Sequence, residues 1–346
     1  MTDRVKVAVI GTGALGTHHV RLYAELATEG EVELVGIYDQ NQSAAAALGT
    51  KYSVPAAKSM EDLVQNADAI SVVTPTVTHY DLAKLLLSQG KHVLVEKPMT
   101  ETPQQAAELV AASHQHNCVL QVGHVERFNP VFQYLQEVAT QPRFIEAHRL
   151  SPFPSRSTDI GVVLDLMIHD LDVVLAFVQS PVTSVEGVGI SVLSASEDIA
   201  NARLRFENGC VANLTASRIS PDRMRKIRVF SAGDPASYVS LDYREQEGFI
   251  YRIAREGEEE SSILRKLLAS QKKNLSVVSE FAGRRIVREP VPIKKDQPLK
   301  LELQSFVQCV RDRQAPVVTG ESAKQALDLA IEITEQIHQA NHPPLA

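Results

Sequence analysis

The stretch Val5-Lys6-Val7-Ala8-Val9-Ile10-Gly11-Thr12-Gly13-Ala14-Leu15-Gly16 decides the fold. Val5 to Ile10 is apolar and β-branched and reads as a strand, whereas Leu15 to Leu26 reads as a helix. Three glycines between a strand and a helix have separate tasks. Gly11 permits the tight turn, Gly13 lets backbone approach a pyrophosphate, and Gly16 lets helix and strand pack closely. The helix N-terminus adds partial positive charge where the pyrophosphate would lie. With Thr12, Ala14 and Leu15, these residues form an expected dinucleotide loop. Asp39 follows the second apolar run, Val32 to Tyr38, where a carboxylate can accept hydrogen bonds from both adenosine ribose hydroxyls. A 2′-phosphate would meet like charge there, and Gln40-Asn41-Gln42 supplies no arginine, so the expected cofactor is NAD. An aspartate in this place also suits an ordinary strand-end turn.

Outward from this loop, β-branched runs alternate with helix-like stretches: Ala69 to Val73, Val93 to Val95 and Val119 to Val122 continue the series. Ser59 three residues before Asp62, and Thr102-Pro103-Gln104-Gln105, read as helix starts, and Gly90 as a helix end. Beyond about Arg149, Val182 to Val192, Ala200 to Phe206, Cys210 to Ile219 and Ile227 to Phe230 follow one another without obvious helices between them. Asn208-Gly209 offers positive φ angles for a tight hairpin there. Arg255 to Asn274 is strongly charged and reads as an exposed excursion, while Leu301 to Val310 and Ala323 to Ile337 have helical spacing. The expected class is α/β. A Rossmann doubly wound parallel sheet over residues 1–123 precedes an α+β domain over 124–346 with a large, mainly antiparallel, open-faced sheet. An uncovered sheet face would seek a second copy, so a homodimer or homotetramer is expected.

The 346 residues exceed the usual single-domain length, and 44% are apolar. A net charge of -7 with interspersed signs provides no basic surface for nucleic acid. Cys118, Cys210 and Cys309 show no C-x-x-C spacing, which suits a reducing cytoplasm. No run is long and apolar enough to cross a bilayer, and the N-terminus carries no evident export signal, so no membrane partner is expected.

Ligands on such sheets bind beyond the carboxyl ends of the strands, where Thr74-Pro75-Thr76 and Glu96-Lys97-Pro98 fall. Alone, Glu96-Lys97 reads equally as a solvated ion pair. Farther along, Asp165 and His169 stand four apart and would share a helix face. A histidine can take a hydroxyl proton near neutral pH, and a neighbouring carboxylate can orient it. A helix-surface hydrogen bond is the simpler alternative. Asp170 and Asp172 extend the acidic group, but without a second ligand set no metal is expected. Arg127, Arg149 and Arg156 suit a diphosphate through paired hydrogen bonds, or are surface arginines.

The glycine loop, Thr74-Pro75-Thr76-Val77-Thr78-His79, Glu96-Lys97-Pro98 and the Asp165 to His169 spacing together resemble the glucose-fructose oxidoreductase, inositol dehydrogenase and rhizopine-catabolism (Gfo/Idh/MocA) family across nearly the whole chain. That resemblance implies Lys97 at the nicotinamide ribose and the reacting hydroxyl, His169 as general base, and Asp165 binding or orienting substrate. It also implies cofactor contacts at Thr74, Pro75, His79 and Glu96, and substrate contacts that include Arg127, Asn129, Arg149 and Arg156. A cis Lys97-Pro98 peptide is frequent in the family. Within it, Val122 to Pro130 and Val162 to Asp170 are most similar to UDP-N-acetylglucosamine 3-dehydrogenases, whose 3-keto product is aminated for lipid A. The competing readings are a free-sugar or inositol dehydrogenase using the same residues, and a dinucleotide-binding sensor without catalysis.

Overall fold

The computed structural model describes residues 4–153, 160–233, 236–254, 276–281 and 284–341. Arg156 and the charged stretch Arg255 to Asn274 lie outside them. The chain divides into two compact units, one of residues 1–128 and 297–328, the other of 129–296 and 329–346.

In the first unit, β1 (Val5–Ile10), β2 (Val32–Tyr38), β3 (Ala69–Val72), β4 (His92–Glu96) and β5 (Leu120–Gly123) form a parallel sheet in the order β2-β1-β3-β4-β5. All residues of β3, β4 and β5 are buried, as expected of strands covered on both faces. The connecting helices are α1 (Ala14–Thr28), α2 (Gln42–Tyr52), α3 (Met60–Asn66), α4 (His79–Ser88) and α5 (Pro103–Gln115). Ser59 caps α3 by accepting the Asp62 N–H, and Thr102 with Gln105 makes a full capping box on α5. Gly90, at φ +73°, turns the chain out of α4 toward β4.

From β1 the sheet grows toward β2 on one side and toward β3, β4 and β5 on the other. That reversal is a topological switch point, and it lies where the glycine loop leaves β1. Ile10 is level with Val72, Val72 with Val95, and Val95 with Val122. The loop, Thr74, Lys97 and Gly123 therefore issue from one edge of the sheet.

The expected single boundary at 123/124 is corrected by the return of the chain to the first unit. The helix Pro298–Asp312, here α8, buries Leu303, Phe306, Val307 and Val310 in one core with Val20, Tyr23 and Leu26 of α1. Lys300 adds 2.7 and 2.8 Å ion pairs to Glu25 and Glu29. Hydrophobic burial drives the return, since α8 carries its apolar residues at helical spacing and the unit needs them.

The second unit opens with α6 (Pro130–Val138) and β6 (Pro142–Leu150), then α7 (Ile168–Val178). There follow β7 (Val182–Ile190), β8 (Ile199–Phe206), β9 (Val211–Ser217), β10 (Met224–Ser231), β11 (Ser237–Asp242), β12 (Glu247–Ile253), β13 (Ser276–Phe281) and β14 (Arg284–Pro290). Together with β6 they form a nine-stranded sheet in the order β13-β14-β12-β11-β10-β6-β9-β8-β7. Its pairs are antiparallel except β6 with β9.

One face of this sheet buries Ile145, Ala147, Ala202, Leu204, Ala212, Leu214, Ile227 and Val229. Helix α7 packs against β6 and β9. The last helix, α9 (Gly320–Asn341), lays Ile333 and Ile337 against Gly187 and Gly189 of β7. The opposite face presents Glu146, His148, Asn201, Asn213 and Thr215 around a polar depression, and a row of rings from Phe144 through Phe230 and Tyr238 to Tyr251.

The β8–β9 turn differs from the expected two-residue form. Gly209 alone takes positive φ, at +83°, while Cys210 O accepts the Phe206 N–H and Phe206 O the Gly209 N–H, each at 2.9 Å. This is a three-residue loop closed by a left-handed glycine. Among the described residues no helix is long and apolar enough to cross a membrane.

Candidate active site

The loop after β1 has the shape its glycines require. A Cβ on Gly11 would stand 2.2 Å from Val73 O, and one on Gly16 2.1 Å from Gly11 O. Gly13 is exposed, and a Cβ there would meet no atom within 4 Å. The loop thus closes tightly on its own strand and opens its middle outward, toward where a pyrophosphate would approach the N-terminus of α1.

Asp39 faces this loop. Its Oδ2 accepts the Thr12 N–H at 2.6 Å and the Thr12 hydroxyl at 2.9 Å, and its Oδ1 accepts the Asn41 N–H at 2.8 Å. Burial works to raise its pKa, but these hydrogen bonds prevail and hold the carboxyl below the ordinary aspartate range. The group is anionic at neutral pH and keeps acceptor capacity on Oδ1, as ribose binding needs. These features fit NAD.

Beyond β3 and β4, His79 is buried, with Nδ1 2.9 Å from Pro98 O and Nε2 2.8 Å from Thr74 O. Burial pushes its pKa below the ordinary histidine range, while the two carbonyl contacts work in the opposite direction. Expected at the cofactor, His79 instead ties the end of β3 to the turn after β4. The Lys97-Pro98 peptide within that turn is cis. Thr74 and Lys97 are half-buried and Pro75 is exposed, so these three keep surface to offer a ligand. Glu96 is buried, with Oε1 3.0 Å from Nε2 of His19 and Oε2 accepting the Lys97 N–H at 3.3 Å. Arg127 is half-buried and donates to Val317 O at 3.2 Å.

In the second unit, Asp165 and His169 are both half-buried, but the helix carrying them is not regular. Val163–Met167 is a π-turn in which Ile168 N–H reaches back five residues to Val163 O, and His169 falls in the first turn of α7. Such one-residue insertions are rare and recur at functional sites. Residues beyond the sequence reading hold this turn. Glu197, 1% exposed, accepts the Val162 N–H on its carbonyl at 2.9 Å and the Val163 N–H on Oε1 at 3.2 Å. Gly161 makes room for it, since a Cβ there would lie 1.8 Å from Oε1.

Behind Glu197, Arg218 and Asp198 form a fully buried ion pair at 2.8 Å, and Arg218 also donates to Ile160 O at 2.7 Å. Asp198 accepts the N–H groups of Val192, Leu193 and Ser194. No motif spacing marks this group, because its members are dispersed from Ile160 to Arg218 and only the sheet register unites them.

Two expected substrate contacts are corrected. Arg149 is 3% exposed and its Nε and Nη2 each donate to Asp170 at 2.9 Å, on the buried side of β6, where α7 packs. A guanidinium bound bidentately to a carboxylate is not open to a diphosphate. Asn129 is buried, capping α6 through the Val131 N–H at 3.1 Å and donating to Tyr243 O at 3.0 Å. Asp172 is buried as well. No group of three or more His, Cys, Asp or Glu suited to a metal occurs among the described residues.

Residues 5–124 match the model of an oxidoreductase family with an NAD-binding Rossmann fold, and residues 138–234 match the Gfo/Idh/MocA C-terminal domain. The UDP-N-acetylglucosamine 3-dehydrogenase of Acidithiobacillus ferrooxidans is 31% identical over 330 residues, 95% of this chain and 96% of that protein. The chain belongs to the Gfo/Idh/MocA oxidoreductase family. It is therefore an NAD-binding dehydrogenase. A solved structure of the A. ferrooxidans enzyme superposes with a TM-score of 0.84, covering 96% of this chain and 97% of that one. The scyllo-inositol 2-dehydrogenase (NAD(+)) of Bacillus subtilis is 25% identical, covering 96% of this chain and 94% of the relative. The fold of this Gfo/Idh/MocA chain also recurs in scyllo-inositol dehydrogenase from Lactobacillus casei, at 20% identity and a TM-score of 0.73, with 98% of each chain covered.

Proposed function

We propose that this protein oxidises a sugar ring hydroxyl to a ketone, acting at C3 of UDP-N-acetylglucosamine. The observation that carries the substrate is the 31% identity to the A. ferrooxidans enzyme, maintained through 95% of this chain. NAD would supply the hydride acceptor, with Gly11 to Gly16 holding its pyrophosphate, Asp39 its adenosine ribose, and Thr74, Pro75 and Lys97 its nicotinamide end. The C3–H bond breaks with its electron pair leaving as hydride. The hydroxyl proton passes to His169, and the C–O single bond becomes a carbonyl. Asp165 orients the imidazole or the sugar, and Lys97 offsets negative charge building on the oxygen. Arg127, which also donates to Val317 O, and Arg156 would bind the diphosphate.

In this reading the ketone is the substrate of an aminotransferase on a 3-amino-sugar route to lipid A. The cytoplasm is supported by the three free thiols Cys118, Cys210 and Cys309. A homodimer or homotetramer is supported by the ring-lined sheet face bearing Phe144, Phe230, Tyr238 and Tyr251.

A second reading, an inositol or free-sugar dehydrogenase, draws support from Arg149 and Asn129, whose polar groups serve the fold rather than a diphosphate. Purified protein given NAD and a panel of UDP-N-acetylglucosamine, inositols and free sugars separates the two. NADH absorbance is followed and the ketone identified by mass, with glutamate and an aminotransferase present to draw off product. NADH formation with UDP-N-acetylglucosamine supports the main reading, and turnover confined to inositols or free sugars replaces it. Silence across the panel overturns both.

A further inference from the structure

We propose that His19 is a positioning residue for Lys97, acting through the Glu96 carboxylate from inside the dinucleotide-binding helix. The inference rests on the proposed role of Lys97 at the reacting oxygen.

His19 lies three residues after Gly16, on the buried face of α1, and is wholly buried. Its Nε2 is 3.0 Å from Glu96 Oε1, while the other carboxylate oxygen accepts the backbone N–H of Lys97. A carboxylate out of water needs donors on its oxygens, and here the donors are a helix side chain and the backbone of the neighbouring lysine. An N–H on Nε2 meets the carboxylate's need for a donor. Nδ1 is buried and has no hydrogen-bond partner among the described residues.

The carboxylate has little room to leave. A Cβ on Gly123 would stand 2.7 to 2.9 Å from its three atoms, so the bare backbone of β5 forms one wall of its seat. On the far side of the turn, His79 holds Pro98 O at 2.9 Å. The backbone on either side of the Lys97 side chain is thus pinned, by Glu96 before it and by His79 after it. His19 connects the first of these pins to α1, the helix whose N-terminus would receive the pyrophosphate. Without His19 the Glu96 carboxylate would lack its buried donor and shift within this seat, loosening its hold on the Lys97 N–H and with it the aim of the ammonium group.

A double-mutant cycle tests this with full-length protein, NAD and the panel sugar that gives the largest NADH signal. His19→Leu should lower kcat roughly ten- to a hundredfold, the range for small displacements of a reacting group. His19→Gln, whose amide can donate from a similar place, should recover most of the loss. Lys97→Met should lower kcat strongly, and adding His19→Leu to it should cost little more. A His19→Leu cost that persists undiminished in the Lys97→Met background overturns the inference, as does one matched by the fraction of protein unfolded in a thermal scan. If His19→Leu does not fold, failure of His19→Gln to retain more activity than His19→Asn overturns it equally. Unchanged kcat in Lys97→Met removes the role of Lys97 itself, whereas silence across the panel removes the proposed function on which the inference rests.

Discussion

The guanidinium of Arg149 is bound to the carboxylate of Asp170 by two parallel 2.9 Å hydrogen bonds, both side chains being nearly excluded from solvent. The pair fastens α7, and with it His169, to the central strand β6. Arg149→Met should therefore act as a break in a buried ion pair and destabilise the fold by about 3–5 kcal/mol. Replacing both partners, as Arg149→Met with Asp170→Leu, should restore part of that loss. Chemical denaturation measures both. A variant with normal stability and a raised KM for UDP-sugars alone would return Arg149 to the substrate.

His169→Ala should lower turnover about a hundred- to ten-thousandfold while NAD binds as before. Steady-state kinetics and calorimetric titration with NAD give the two numbers. Unimpaired turnover would remove His169 from the base role.

Asp39→Ser removes the anion that a 2′-phosphate would meet, and frees Thr12 and Asn41. The ratio of kcat/KM for NADP over NAD should rise by about tenfold or more, equivalent to ~1.4 kcal/mol. An unmoved ratio would detach Asp39 from cofactor choice.

Gly161→Ala should strike the buried Glu197 carboxylate and spread the π-turn beneath Asp165. We expect about 1–3 kcal/mol of lost stability, the usual cost of overpacking, and a fall in kcat larger than the unfolded fraction explains. Thermal unfolding and kinetics on the same sample separate these effects. Full activity and unchanged stability would show that the turn tolerates the extra methyl.

Burial works to raise the Asp198 pKa, but Leu193 N–H, Arg218, Ser194 and Val192 N–H together hold it far below the ordinary aspartate value of 3.8. A depressed folded-state pKa stabilises the fold fully above that value and loses its contribution as pH falls below it. Thermal midpoints should therefore drop as acid is added below about pH 4. Asp198→Asn should be less stable at neutral pH and should flatten this part of the profile. A variant tracking the parent protein down the whole acid limb would refute the assignment.

The glycine loop and Asp39 were legible because each task there is local: a turn, a close approach, a charge at a strand end. The capping box at Thr102 was legible for the same reason. β6 was not, since Arg149 points into the buried side between Ala147 and the strand end, and an inward charge hides the alternation that marks a strand. Across the π-turn the spacing implies a plain helix, because it counts residues and cannot register one inserted into a turn. His79, Glu96 and Asn129 carry polar groups that could serve a ligand or a neighbour. Only the positions of Thr74 O, His19 and Tyr243 O tell these uses apart.

The return of residues 297–328 to the first unit bears on how such proteins can be recombined. The cofactor-binding module is encoded in two separated stretches, so a gene exchange with one crossover near residue 128 would join α1 of one parent to α8 of another. Leu303, Phe306 and Val310 would then face a foreign helix, and Lys300 a different set of carboxylates. A transplant of cofactor preference that keeps this core intact requires both stretches to travel together, or a point change at Asp39 that leaves the core where it is.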